Sequence, residues 1–121
     1  MKIAVCVGEK SGDALGYELL VDLKENIENL EIICVGGPLM ESEGLESIFP
    51  IKEISYMGLI DPLLNLRKIL KIRKNFINFL KKENPDIFIG IDSPSFNSGI
   101  CKALRRDTNI KTVQYLSLIH I

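Results

Sequence analysis

Four short strand-like runs at residues 3–7, 31–35, 87–91 and 111–115 alternate with stretches of helical periodicity, and this alternation limits the fold more than any other feature. Residues 13–28 place Leu15, Leu19, Leu20, Leu23 and Ile27 on one helical face. Asp13 stands where an N-cap is expected. Pro38 suits the first turn of a short helix over 38–43, which Gly44 stops. Pro62 opens a long helix reaching about Asn84, where Pro85 ends it, and a further helix covers 96–106. Residues 45–61 are less regular, with possible short strands at 48–49 and 51–54 before a Met57-Gly58 turn. Strands and helices that alternate through short connections imply a parallel sheet covered on both faces, an α/β domain of Rossmann-like type. At 121 residues the chain is expected to form one domain.

The composition excludes several function classes. Hydrophobic residues make up 46% and charged residues 26%, as in a globular protein, and no apolar run approaches the roughly 18 residues of a membrane span. The chain is strand-like from Met1 onward, which leaves no room for a signal peptide and predicts a cytoplasmic protein. Cys6 and Cys34 fall in strand-like runs and Cys101 in a helical pattern, with no CxxC pair. Three buried thiols fit a reducing compartment and argue against a zinc site.

The net charge of -1 conceals an asymmetry. Twelve of the sixteen acids precede residue 62, whereas Arg67, Lys68, Lys71, Arg73, Lys74, Lys81 and Lys82 form a stretch without an acid. An anionic surface is one partner such a stretch fits, and a solvated helix face is the other explanation. The same helix carries Leu63, Leu66, Ile69, Leu70, Ile72, Phe76, Ile77, Phe79 and Leu80, more apolar residues than one core-facing stripe requires. Docking at an anionic membrane fits this arc. Packing in the core, with the excess meeting a dimer partner or another domain, fits it too.

Two segments carry possible chemistry. IFIGIDSPSFN at 87–97 runs an apolar strand into Asp92, and ligands bind at the carboxyl ends of strands in open parallel sheets. Ser93-Pro94 then forces a turn, so an Asx-turn or capping duty for Asp92 is a competing reading. GEKSGD at 8–13 joins the first strand to the first helix. It is neither GxGxxG nor a P-loop, and its acceptors Glu9, Ser11 and Asp13 suit sugar hydroxyls better than phosphates. Turn and cap duty for Ser11 and Asp13 explains the spacing equally well.

Taken together, GEKSGD at 8–13, GGPLM at 36–40 with Gly44 following, MGL at 57–59 and IGIDSPSFN at 89–97 resemble the amino-terminal domain of the lipid-A-disaccharide synthase family. Order and spacing agree from Ile3 to Tyr115. The chain departs from the family pattern at Ser95, where an acid is usual, at Lys10, and at Asp61-Pro62.

The resemblance implies the amino-terminal, acceptor-side half of an inverting GT-B glycosyltransferase with no metal requirement and no cofactor. Such an enzyme joins UDP-2,3-diacylglucosamine to 2,3-diacylglucosamine 1-phosphate and releases UDP and a β-1′,6-linked disaccharide. The family's essential aspartate maps onto Asp92, as general base toward the acceptor 6-hydroxyl. Glu9, Ser11, Asp13 and Asn97 match positions lining the cleft and are expected to touch substrate. The acylated substrates imply peripheral association with the cytoplasmic face of the inner membrane. Ile60, Leu63, Leu66, Ile69 and Leu70 would be the contacts there, flanked by Lys68, Lys71 and Lys74. A homodimer of the full-length protein is compatible with this, and no nucleic-acid partner is expected. The domain is expected over 1–115, with the donor-binding carboxy-terminal domain absent. The final Leu-Ser-Leu-Ile-His-Ile, residues 116–121, matches a translated sequencing adapter and is expected to be non-native. The alternative is a non-catalytic Rossmann-like module that binds a small anionic or sugar ligand.

Overall fold

A computed structural model describes residues 1–8, 12–48, 66–92 and 94–115 of the chain, with the side chains of 94 and 95 excepted. Within them, β1 (Lys2–Val7), β2 (Glu31–Val35), β3 (Ile87–Ile91) and β4 (Lys111–Tyr115) form a parallel sheet in the order β2-β1-β3-β4. Helices α1 (Asp13–Asn26), α2 (Pro38–Glu41), α3 (Leu66–Glu83) and α4 (Pro94–Asp107) alternate with them. The α/β, Rossmann-like expectation is met. Parallel neighbours need crossovers, and the helices between successive strands supply them.

Strand parity divides the core into two layers. Ile3, Val5 and Val7 of β1 join Leu20, Cys34, Met40 and Ile91 on the face covered by α1 and α2. Ala4 and Cys6 join Val35, Phe76, Leu80, Phe88, Ile100 and Leu104 on the face covered by α3 and α4. Because successive side chains point to opposite faces, a strand buried on both sides must be apolar throughout. β1 meets that condition, with Ile3 to Val7 no more than 1% exposed. It pairs with β2 on one side, Ile3 opposite Ile32, and with β3 on the other, Ile3 opposite Ile87.

The three cysteines are buried and free, as their positions predicted. Burial pushes the Cys34 thiol up to about 12, with the charges of Glu41 and Asp13 adding to the effect. The Cys6 and Cys101 thiols are also raised, burial being the main cause. All three therefore behave as small apolar side chains rather than nucleophiles.

Element boundaries differ from expectation in understandable ways. Helix α1 stops at Asn26 because Ile27 is extended and Asn29 takes a left-handed conformation, φ 55°. Helix α2 stops at Glu41, and a turn carries the chain through Gly44, whose φ is 84°. Asn84, also left-handed at φ 50°, ends α3 just before Pro85, and its N–H donates to the Leu80 carbonyl. Helix α4 begins at Pro94 rather than at Phe96, since proline suits a first turn whose amides lack helical partners. Residue 47 adds an isolated parallel bridge to Cys34, and the Ile48 N–H donates to the Cys34 carbonyl. The rest of the irregular region, with the expected strand at 51–54, the Met57-Gly58 turn and the helix start at Pro62, lies outside the described residues. So does the 116–121 tail.

Candidate functional site

The carboxyl edge of the sheet gathers the described site candidates Asp13, Asp92 and Asn97. Asp92 is the first residue past β3, and it turns the chain with φ 52°. Aspartate is among the few non-glycine residues that take this left-handed conformation readily. Two backbone bonds fix the turn. The Asp92 N–H donates to the Tyr115 carbonyl at the end of β4, 2.9 Å, and the Asp92 carbonyl accepts from the Asn97 side-chain amide, 2.8 Å.

The Asp92 carboxylate is directed toward the start of α1. A Cβ added at Gly12 would lie 3.2 Å from Asp92 Oδ2 and 2.9 Å from Val7 Cγ1, so only glycine leaves the carboxylate its place there. The start of α1 and the end of β3 therefore meet at one carboxylate. At 1% exposure Asp92 is closed off from bulk water.

Asp13 does different work from the N-cap expected of it. It is the first residue of α1, Gly12 holds the cap position, and no side chain caps that helix. Its buried carboxylate instead spans to the next crossover and accepts from three amides, Gly37 at 3.0 Å, Leu39 at 2.9 Å and Met40 at 3.2 Å. These are donors that the start of α2 leaves without helical partners. Asp13 thus ties the β1–α1 loop to the Gly36-Gly37-Pro38 turn, with both oxygens engaged by backbone. Sequence reading placed Asp13 in the right loop and missed its cross-loop partner. The signal was the GGP turn, which presents several free amides at a helix start within reach of one carboxylate.

Asn97, expected to touch substrate, lies in α4 beside the strand ends. It is fully buried, and its amide nitrogen points at the backbone carbonyls of Asp92, Ile91 at 3.3 Å and Cys6 at 3.4 Å. Gly90 makes room for it, since a Cβ there would stand 2.8 Å from Asn97 Cβ. This geometry requires Gly12 of the GEKSGD motif and Gly90, the second of which sequence reading did not single out.

Glu9, Ser11, Ile60 and Leu63 lie outside the described residues. In α3, Leu66 and Leu70 are exposed together with Lys68, Lys71 and Lys74, whereas Ile69 is turned inward and packs on the core. Heptad-like spacing explains the difference, because Ile69 shares the face of Phe76 and Leu80, both buried. No helix among the described residues is long and apolar enough to cross a membrane. Nor do the described His, Cys, Asp and Glu residues cluster in threes that could hold a metal ion.

Comparison with known proteins places this edge in context. Residues 3–117 match the family model described as lipid-A-disaccharide synthetase. A lipid-A-disaccharide synthase of Pseudomonas fluorescens (strain Pf0-1) is 50% identical over 117 residues, which is 97% of this chain and 31% of that protein. The synthase of Pseudomonas syringae pv. tomato is 48% identical over 117 residues, 97% of this chain and 30% of its own length. One from Pseudomonas putida (strain F1) is 49% identical over 115 residues, again covering 30% of that protein. The chain therefore spans about a third of the length of the curated relatives it matches.

Proposed function

We propose, for a chain that belongs to the lipid-A-disaccharide synthase family, that it forms the acceptor side of a glycosyltransferase acting in lipid A biosynthesis. The reaction is inverting transfer of 2,3-diacylglucosamine from UDP-2,3-diacylglucosamine to the 6-hydroxyl of 2,3-diacylglucosamine 1-phosphate, with release of UDP. The observation that carries the reading is the placement of Asp92, a buried carboxylate at the end of a central strand, directed toward Gly12 at the start of α1.

Inversion needs a base on the acceptor side. As the acceptor oxygen attacks the anomeric carbon, the bond from that carbon to the UDP oxygen breaks, and the hydroxyl proton must leave. Asp92 takes that proton from within about 3 Å. A carboxylate carried on a residue whose main-chain N–H and carbonyl are both hydrogen-bonded starts from a fixed backbone, which is the benefit of preorganisation. Glu9 and Ser11, which precede Gly12 in the GEKSGD motif, bind acceptor hydroxyls. Binding of the uridine diphosphate and stabilisation of the leaving group belong to the remaining two-thirds of the family's length. The experiment is product analysis by mass spectrometry with a full-length synthase carrying this segment. The β-1′,6-linked disaccharide and UDP are expected from the two acylated sugars, and their absence with well-folded enzyme would refute the assignment.

The acylated substrates also require contact with a membrane surface, and the exposed start of α3 suits it. Leu66 and Leu70 are 48% and 40% exposed, with Lys68, Lys71 and Lys74 exposed around them. Apolar residues framed by lysines are the pattern of a helix resting on anionic headgroups. Each lysine near such a surface contributes about 1 kcal/mol. Replacing Lys68, Lys71 and Lys74 by Glu is therefore expected to cut sedimentation with anionic liposomes by at least about tenfold. Unchanged sedimentation would remove this face from consideration.

A further inference from the structure

We infer that Asn97 is a positioning residue, holding Asp92 in its left-handed turn so that the carboxylate meets the acceptor, and that it makes no contact with substrate. The inference rests on the reading of Asp92 as the base and deepens it.

Three observations support it. First, Asn97 is fully buried between the ends of β1 and β3. Second, its side-chain amide nitrogen is committed to backbone. It lies 2.8 Å from the Asp92 carbonyl, 3.3 Å from the Ile91 carbonyl and 3.4 Å from the Cys6 carbonyl. An amide NH2 has two hydrogens, so it serves the short Asp92 bond and shares the other hydrogen between the ends of β3 and β1. Third, the residue held this way is the one non-glycine residue at a described strand end with positive φ, 52°.

The physical consequence is directional. Left-handed backbone at Asp92 sends its side chain toward Gly12, whereas ordinary extended backbone would continue the strand and aim the carboxylate elsewhere. Even for aspartate the left-handed conformation is less favoured than the extended one, so its surroundings must select it. The Asn97 amide on the carbonyl side and the Tyr115 carbonyl on the N–H side are those surroundings. Gly90 is part of the device, because any side chain there would push Asn97 off its carbonyls. Among the described residues, no donor reaches the buried Asn97 Oδ1. That cost is tolerated when the other end of the same amide fixes the geometry of a reacting group.

The test is a double-mutant cycle in a full-length synthase carrying this segment, assayed with UDP-2,3-diacylglucosamine and 2,3-diacylglucosamine 1-phosphate. Asn97→Ala is expected to lower kcat by about 10- to 100-fold with KM for the acceptor changed by less than about twofold. In an Asp92→Ala background the same change is expected to cost less than about twofold further, because a residue that acts through Asp92 has nothing left to position. Asn97→Ser keeps a donor beside the Asp92 carbonyl and is expected to recover at least about threefold over alanine. If the alanine variant does not fold, the cycle is run with serine and read in the same way. A raised KM with unchanged kcat would make Asn97 a substrate contact, and additive losses would make it a general structural residue. Either overturns the inference. Full activity in Asp92→Ala alone would instead overturn the assignment of the base.

Discussion

Asp92→Ala is expected to lower turnover of the full-length enzyme by at least about a hundredfold, the usual scale for loss of a general base. The expectation follows from the geometry. The Asp92 carboxylate is buried at the end of a central strand and faces Gly12 at the start of α1, and the residue's backbone is tied on both sides. Alanine also meets a backbone cost, since a non-glycine residue without a polar side chain resists φ 52° by about 1 kcal/mol. That cost is small beside the loss of the base. Steady-state kinetics with both acylated substrates measures the effect, and turnover within about tenfold of the parent would reject the role.

The second large effect is on stability. Asp13→Ala removes a carboxylate that accepts from the Gly37, Leu39 and Met40 amides, leaving three donors at the start of α2 without that partner. A buried hydrogen-bonding group left unsatisfied costs about 1–3 kcal/mol, and water recovers part of the loss at Leu39, which is exposed. We therefore expect destabilisation of roughly 2–4 kcal/mol in chemical denaturation. Asp13→Asn recovers only part of this, because its NH2 group would face backbone donors. If Asp13 served substrate alone, both variants would unfold at the parent's midpoint with a raised KM.

The two expectations separate what the sequence made legible from what it did not. Strand positions were legible because β1 and β3 are buried on both faces and must be apolar, and the β2 and β4 runs also coincide with the structure. The turn at Asp92 was legible as well, because an apolar strand that meets Asp-Ser-Pro can hardly continue. Cross-loop partners were not legible. Nothing in the local pattern around Asp13 states that its oxygens reach 24 to 27 residues ahead, since that pairing exists only once β1 and β2 lie side by side. The inward orientation of Asn97 was not legible for a related reason. A polar residue in a motif near a carboxylate looks like a ligand contact, whereas the amide turns inward to the strand ends. Ile69 was grouped with exposed neighbours because helix composition does not reveal which part of a wide apolar arc the sheet claims.

The glycines tell the same story from the opposite direction. Gly12 and Gly90 look like ordinary loop and strand glycines in sequence. In the structure one leaves space for the Asp92 carboxylate and the other for the Asn97 side chain. Both act through the Cβ they lack, and the neighbour that needs the space comes from a distant segment.

The most direct test of the central claim, that Asp92 acts as a base on the acceptor hydroxyl, is Asp92→Asn. Asparagine keeps the size and shape of the side chain and tolerates left-handed backbone, so it removes basicity with little else. Acceptor affinity and the rate of transfer are measured on the same full-length preparation. Affinity for 2,3-diacylglucosamine 1-phosphate is predicted to stay within about threefold of the parent while transfer falls by at least about a hundredfold. Transfer at close to the parent rate, or a loss of acceptor binding large enough to account for the lost activity, would contradict it.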